Sequence, residues 1–213
     1  MVTDHQSPGQ ELLNSLTHAL GTLLSVAGTV MLIVGAAHLG DPWKIVAFSV
    51  FGASMILLYS ASTLYHSVRR PRLKQIFKTI DHCAIFILIA GTYTPFTLVS
   101  LRGPIGWTLL GVIWGLALTG VILKIVYGNR YKAIRVSIYL AMGWLIVIAV
   151  PSLASNLNST ALTFTILGGL VYTFGVLFYL ADRRPYMHAI WHLFVIGGTA
   201  SHFIAIYHGI LPA

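Results

Sequence analysis

Charge is what this sequence has least of. Only 8% of its 213 residues are Asp, Glu, Lys or Arg. A soluble domain carries about 25%, so this chain lacks the charge to cover a water-facing surface. One cysteine, Cys83, excludes an intrachain disulfide scaffold and leaves the redox compartment open. With 57% hydrophobic residues, disordered and collagen-like chains are excluded as well. A mean hydropathy of +0.83 agrees. What remains is an integral membrane protein whose length suits one bundle, residues 1–213 forming a single transmembrane domain.

A helix needs about 18–20 apolar residues to cross a bilayer. Seven runs qualify, at 14–37, 43–66, 81–100, 105–126, 136–154, 160–180 and 187–209, taken below as the first to seventh spans. The breaks between them carry turn or charge chemistry, as in Gly40-Asp41-Pro42, Arg102-Gly103-Pro104 and Asp182-Arg183-Arg184-Pro185. Backbone groups in lipid must be satisfied within their own segment, so the spans are helices. Strands of a barrel would be about ten residues long with alternating polarity, a pattern not seen here. The first run is too long for a signal peptide and lacks a basic leader, so no cleavage is expected. No repeat, low-complexity segment or linker marks a second domain.

Basic residues set the expected orientation. Arg69, Arg70, Arg72, Lys74 and Lys78 fall between the second and third spans. Lys124, Arg130, Lys132 and Arg135 fall around the fourth connection, and Arg183 and Arg184 around the sixth. Only Lys44 and Arg102 lie on the other side. The positive-inside rule then predicts a cytoplasmic N-terminus and an external C-terminus. G-protein-coupled receptors and rhodopsins have the opposite topology, and the seventh span holds no lysine for a retinal Schiff base. The formal charge of +8 is this basic belt, which favours anionic lipid headgroups rather than nucleic acid.

Ionisable groups inside membrane helices are costly, so each one is a site candidate. Of five acids, Asp4 and Asp41 sit in solvated ends or loops and Asp182 in a basic loop. Glu11 and Asp81 stand at the mouths of spans. In His188-Ala-Ile-Trp-His192 two imidazoles share a helix face one turn apart, a spacing that binds one metal ion. Ser62-Thr-Leu-Tyr-His66 repeats that spacing, and Asp81 opens the third span. The topology puts Ser62, His66, Asp81, His188 and His192 within about two turns of the cytoplasmic boundary, with Glu11, Asn14 and His18 beside them. That convergence points to a metal site.

Blander readings suffice elsewhere. His5 belongs to a solvated tail, and His38 and His208 to the outer interface. His202 lies ten residues past His192, turned away from that face, and suits helix packing or a hydrogen bond behind the ligands. His82 and Cys83 are turned from Asp81 by roughly 100° and 200°; Cys83 is a small packing residue. Gly168-Gly169, Gly197-Gly198 and the Gly111/Gly115 pair read as close helix packing. Trp43, Trp107 and Tyr207 fit an outer aromatic belt.

These residues resemble the hemolysin III branch of the progestin and adipoQ receptor family. Glu11-Leu-Leu-Asn14-Ser-Leu-Thr17-His18 is similar to the motif that opens the family's first helix. Ser62-Thr-Leu-Tyr-His66 is similar to its S-x3-H motif, Asp81 to its acidic residue, and His188-Ala-Ile-Trp-His192 to its H-x3-H motif. The resemblance covers nearly the whole chain, in order and with the same topology. It implies a seven-helix bundle in the bacterial plasma membrane, with Zn2+ held by His66, His188 and His192 and Asp81 approaching it through water. It also links the chain to alkaline ceramidases and to a proposed class of metal-dependent lipid amide or ester hydrolases. The long cytoplasmic region of the animal receptors is missing, so an adiponectin-type partner is not implied.

The leading expectation is a zinc-dependent hydrolase of lipid amides or esters. Asp81 would orient water or take its proton, and Ser62 would hydrogen-bond a ligand or a developing oxyanion. Glu11, Asn14, His18 and His202 would support the ligands from behind. Three histidines with a carboxylate also suit iron or manganese. The first rival is a receptor, sensor or regulator of membrane state with structural zinc, using the same residues. The second is a haemolytic pore, disfavoured because the fourth and fifth spans carry almost no polar residues mid-membrane. A bis-histidine haem fails for want of a second histidine pair.

Overall fold

The computed structural model describes residues 6–128 and 130–212. Seven helices in it are long and apolar enough to cross a membrane. They are α1 (Pro8–His38), α2 (Pro42–Ser67), α3 (Pro71–Ser100), α4 (Pro104–Tyr127), α5 (Lys132–Asn156), α6 (Ser159–Leu180) and α7 (Met187–Gly209). No strand occurs among the described residues. His5 and Asp4 lie outside them.

Local chemistry starts the helices. Pro8, Pro42, Pro71 and Pro104 each stand at the first helical turn, where a missing N–H is harmless and φ is already helical. Ser7 and Gln10 close a capping box on α1. Asp41 accepts from the Trp43 and Lys44 amides on α2, and Asn158 from the Ala161 amide on α6. Asp41 therefore has a structural task.

α3 begins ten residues before the 81–100 run, and Asp81 lies three turns into the helix instead of opening it. The reason is that hydropathy marks the apolar stretch, while the backbone is helical from Pro71 through the basic residues Arg72, Lys74 and Lys78. At its other end α3 loosens after Pro95 into a π-helical turn, Phe96–Ser100. α5 contains a 3-10 stretch, Leu145–Ala149, just ahead of Pro151. Proline cannot donate into the ladder, so the turn before it tightens. Tyr93 of α3 fills the break: its hydroxyl accepts from the Ile146 amide at 2.7 Å and donates to the Met142 carbonyl at 2.7 Å.

α1 packs on α2 and α7, α2 on α3, α3 on α4, and α6 on α7, while α5 touches α3, α4 and α6 more lightly. The buried stripe of α1 is Asn14, His18, Gly21, Ser25, Gly28, Leu32 and Ala36, mostly small residues that let helices approach. A Cβ at Gly21 would come within 2.6 Å of the Tyr59 ring, and one at Gly28 within 2.9 Å of Phe203. Gly168 and Gly198 are pressed against His202 and Tyr172 in the same way. Gly111, Gly115 and Gly169, however, face open space. The GxxxG spacing of α4 thus meets no other helix among the described residues, because that face points away from α3. The antiparallel order gathers the starts of α1, α3, α5 and α7 at one end, together with nearly all the arginines and lysines. At the opposite end Trp43 meets Trp107 edge to face, and Arg102 lies over the Trp43 ring.

Candidate metal centre

At the basic end, the last turn of α2 and the first turns of α7 bring three imidazoles together. His66, His188 and His192 each offer a ring nitrogen, all within 4.8 Å of one another. The ring centroids of His66 and His188 are 5.1 Å apart, those of His66 and His192 5.2 Å, and those of His188 and His192 4.6 Å. The i, i+4 spacing on α7 supplies two donors from one helix. Only the folding of α2 against α7 supplies the third.

α1 sets the rings from behind. Glu11 Oε2 accepts from His66 Nδ1 at 2.7 Å, and Glu11 Oε1 accepts from Lys74 Nζ at 2.6 Å. A carboxylate held by lysine can only accept, so His66 donates from Nδ1, and in the neutral imidazole that tautomer leaves the lone pair on Nε2. That Nε2 is buried and has no hydrogen-bond partner. His192 follows the same rule: Nδ1 lies 3.2 Å from the Asn14 carbonyl and 3.1 Å from Thr17 Oγ1. Thr17 spends its own proton on the Asn14 carbonyl, so both oxygens accept from His192. The Nε2 lone pair of His192 is left for a ligand. Two rings oriented by a second layer, one of them with a buried and unpartnered Nε2, suit a metal ligand set. Zinc suits three imidazoles, and a carboxylate nearby also suits iron or manganese.

Asp81 is 7% exposed and Ser62 1%. The Ser62 hydroxyl faces the Asp81 carboxyl, whose charge also acts on His66, although Ser62 Oγ makes no hydrogen bond of sound geometry. Both therefore stand beside the imidazoles, outside the group of three. His18 stacks on His192 with centroids 3.5 Å apart and meets Tyr59 edge-on at 5.0 Å. Its ring fixes the plane of His192.

His202 does not join them. Ten residues along α7 correspond to about 15 Å of rise. There His202 packs against Gly168 and stacks on Tyr172 with centroids 5.7 Å apart. Of the two roles expected for it, packing between helices is the one these contacts match, not support behind the ligands. Thr17 and Lys74 enter the site instead; Thr17 lies one turn from Asn14 and Lys74 two turns from Asp81, but neither spacing says which way the side chain points. His82 is buried, and its backbone carbonyl accepts from the Tyr139 hydroxyl.

Beyond Trp191 and Val195 lies a second feature, an apolar cavity of about 110 Å³ among α2, α3, α5, α6 and α7. Tyr93, Tyr139, Tyr172 and Tyr179 are among the residues that line it. Between α5 and α6 its wall includes Gly143 and Gly169, with Trp144 Nε1 donating to Thr173 Oγ1 at 3.1 Å.

Comparison with known proteins identifies the family. The family model described as "Haemolysin-III related" matches residues 7–203. "Hemolysin-3" of Bacillus cereus is 45% identical over 203 residues, covering 95% of this chain and 93% of the relative. "Hemolysin-3 homolog" of Bacillus subtilis (strain 168) is 46% identical over 197 residues, 92% of each chain. The human "Monocyte to macrophage differentiation factor" is 31% identical over 203 residues, covering 91% of this chain and 82% of the relative. The chain is a multi-pass integral membrane protein of seven helices and belongs to the haemolysin-III-related family.

Proposed function

We propose that the protein is a zinc-dependent hydrolase of amide-linked or ester-linked lipids, working at the cytoplasmic side of the bacterial plasma membrane with its N-terminus inside. One observation carries the reading: three imidazole nitrogens within 4.8 Å of one another, in a membrane bundle, beside a buried carboxyl. Buried polar clusters at that depth are expensive and persist where they bind or react. A zinc ion there would supply Lewis acidity and an acidified water near neutral pH. Asp81 serves as the proton acceptor. Ser62 steadies that carboxyl or the oxygen on which charge develops. Glu11, Asn14 and Thr17 hold the imidazoles in the ligating tautomer. The acyl chain of the substrate occupies the apolar cavity, reached from the bilayer between α5 and α6.

The decisive measurement is metal content by elemental mass spectrometry on detergent-purified protein, beside His188→Ala/His192→Ala, followed by a screen of lipid amides and esters. About one zinc per chain, lost in the variant, with zinc-dependent turnover, is the expected result. Zinc without turnover of any acyl lipid would favour a receptor or regulator whose zinc only joins α2 to α7. A metal-free, well-folded wild type would sink the hydrolase.

A further inference from the structure

Lys124 and Arg135 belong by sequence to the basic belt, yet both are buried, at 3% and 7% exposure. They line one cavity of about 200 Å³ between the basic ends of α4 and α5. A water needs only about 10–15 Å³ by the same measure, so there is room for a larger group. Arg135 donates from Nη2 to the Tyr179 hydroxyl at 3.3 Å, while its Nε is buried with no hydrogen-bond partner. Lys124 is close enough for the two positive charges to act on each other. At the rim, Tyr127 and Tyr131 meet edge to face with centroids 5.7 Å apart, each about half exposed.

Among the described residues, no carboxylate lines this cavity. Among the acids of the described residues, Glu11 is committed to His66 and Lys74, Asp41 caps α2 at the far end, and Asp182 accepts from Lys132. Asp81 acts on Lys124 from the metal-centre side but is not part of the lining. A guanidinium buried in a membrane helix pair with its Nε unpartnered is costly unless an anion joins it. A phosphate offers several acceptor oxygens, enough for an arginine Nε, an ammonium and a tyrosine hydroxyl together. Leu123 and Ile134 beside the cavity are 36% and 54% exposed, an apolar surface suited to acyl chains. Basic pockets between helices at this membrane level take phospholipid headgroups.

We propose that the cavity between α4 and α5 is a binding site for the phosphate of an anionic phospholipid, with Arg135 and Lys124 as its two cationic partners and the lipid chains lying along α4 and α5. It is distinct from the metal centre and does not depend on hydrolase activity.

Native mass spectrometry of the delipidated full chain tests this, with phosphatidylglycerol, phosphatidylcholine and inorganic phosphate as separate probes. The wild type should hold one phosphatidylglycerol per chain in clear preference to phosphatidylcholine. Arg135→Gln should weaken that adduct about tenfold, and Arg135→Lys, which keeps the charge, by less. Arg184→Gln, at an exposed arginine of the same end, should leave it unchanged. Equal binding by wild type and a folded Arg135→Gln would overturn the proposal. So would an equal preference for the two lipids in wild type, a comparison that stands even where the variant does not fold. Inorganic phosphate bound as tightly as the lipid would overturn the lipid assignment in favour of a free-phosphate site.

Discussion

Glu11 has two partners at once, His66 and Lys74, and this double hold is what turns the imidazole toward the site. Groups behind metal ligands typically matter by 10–100-fold in affinity. Glu11→Gln keeps an acceptor but loses the charge and should weaken zinc binding about tenfold. Glu11→Ala should approach a hundredfold, read by competition with a chromogenic chelator. The ligands must be neutral to bind, so protons compete with the metal. Zinc affinity should therefore fall as pH drops and recover when it is raised again; a pH-independent affinity would argue against imidazole ligands. His66 and the His188/His192 pair stand out in the sequence because ionisable groups are rare inside membrane spans. Thr17 and Lys74 do not, since a threonine or lysine near a helix end has many uses and only the fold selects one.

At the scale of the helix, proline decides where regular geometry gives way, and a neighbouring side chain repairs it. The Tyr93 hydroxyl serves both the Ile146 amide and the Met142 carbonyl where α5 tightens ahead of Pro151. Tyr93→Phe leaves a partly buried N–H unpaired, and should destabilise the fold by about 1 kcal/mol in detergent unfolding while leaving metal content unchanged. The gap between α5 and α6 offers the opposite kind of test. A Cβ at Gly169 meets nothing within 4 Å, yet the residue lines the apolar cavity. Gly169→Leu should fold normally and bind zinc normally, but block the acyl chain and lower kcat/KM by about tenfold, a loss of 1.4 kcal/mol in transition-state binding. Unchanged turnover would place the acyl chain elsewhere. The seven apolar runs announce these helices. The ten extra residues at the start of α3 are less visible, because amphipathic basic helix has no long hydrophobic stretch.

For the molecule as a whole, the asymmetry of charge should set how it sits in the membrane. With Cys83 replaced by serine, Ser155→Cys should react with a membrane-impermeant maleimide in intact cells, and Arg184→Cys should react only after permeabilisation. The reverse pattern would put the metal centre outside and end the cytoplasmic reading. Seven antiparallel helices place the starts of the odd-numbered ones together, so motifs spread from residue 11 to residue 192 can meet at one end without any long loop.

By itself the sequence determined that this is a helical membrane protein and which histidines are out of place in it. Those conclusions need only the cost of uncovered backbone and charge in hydrocarbon, which acts segment by segment. Tertiary structure alone decided that His202 packs against α6 while Thr17 reaches His192, that Gly111 and Gly115 face outward, and that Lys124 and Arg135 are buried together. Each of these depends on how a helix is rotated about its axis against its neighbours. In a chain hydrophobic on nearly every side, the pattern of apolar residues does not reveal that rotation.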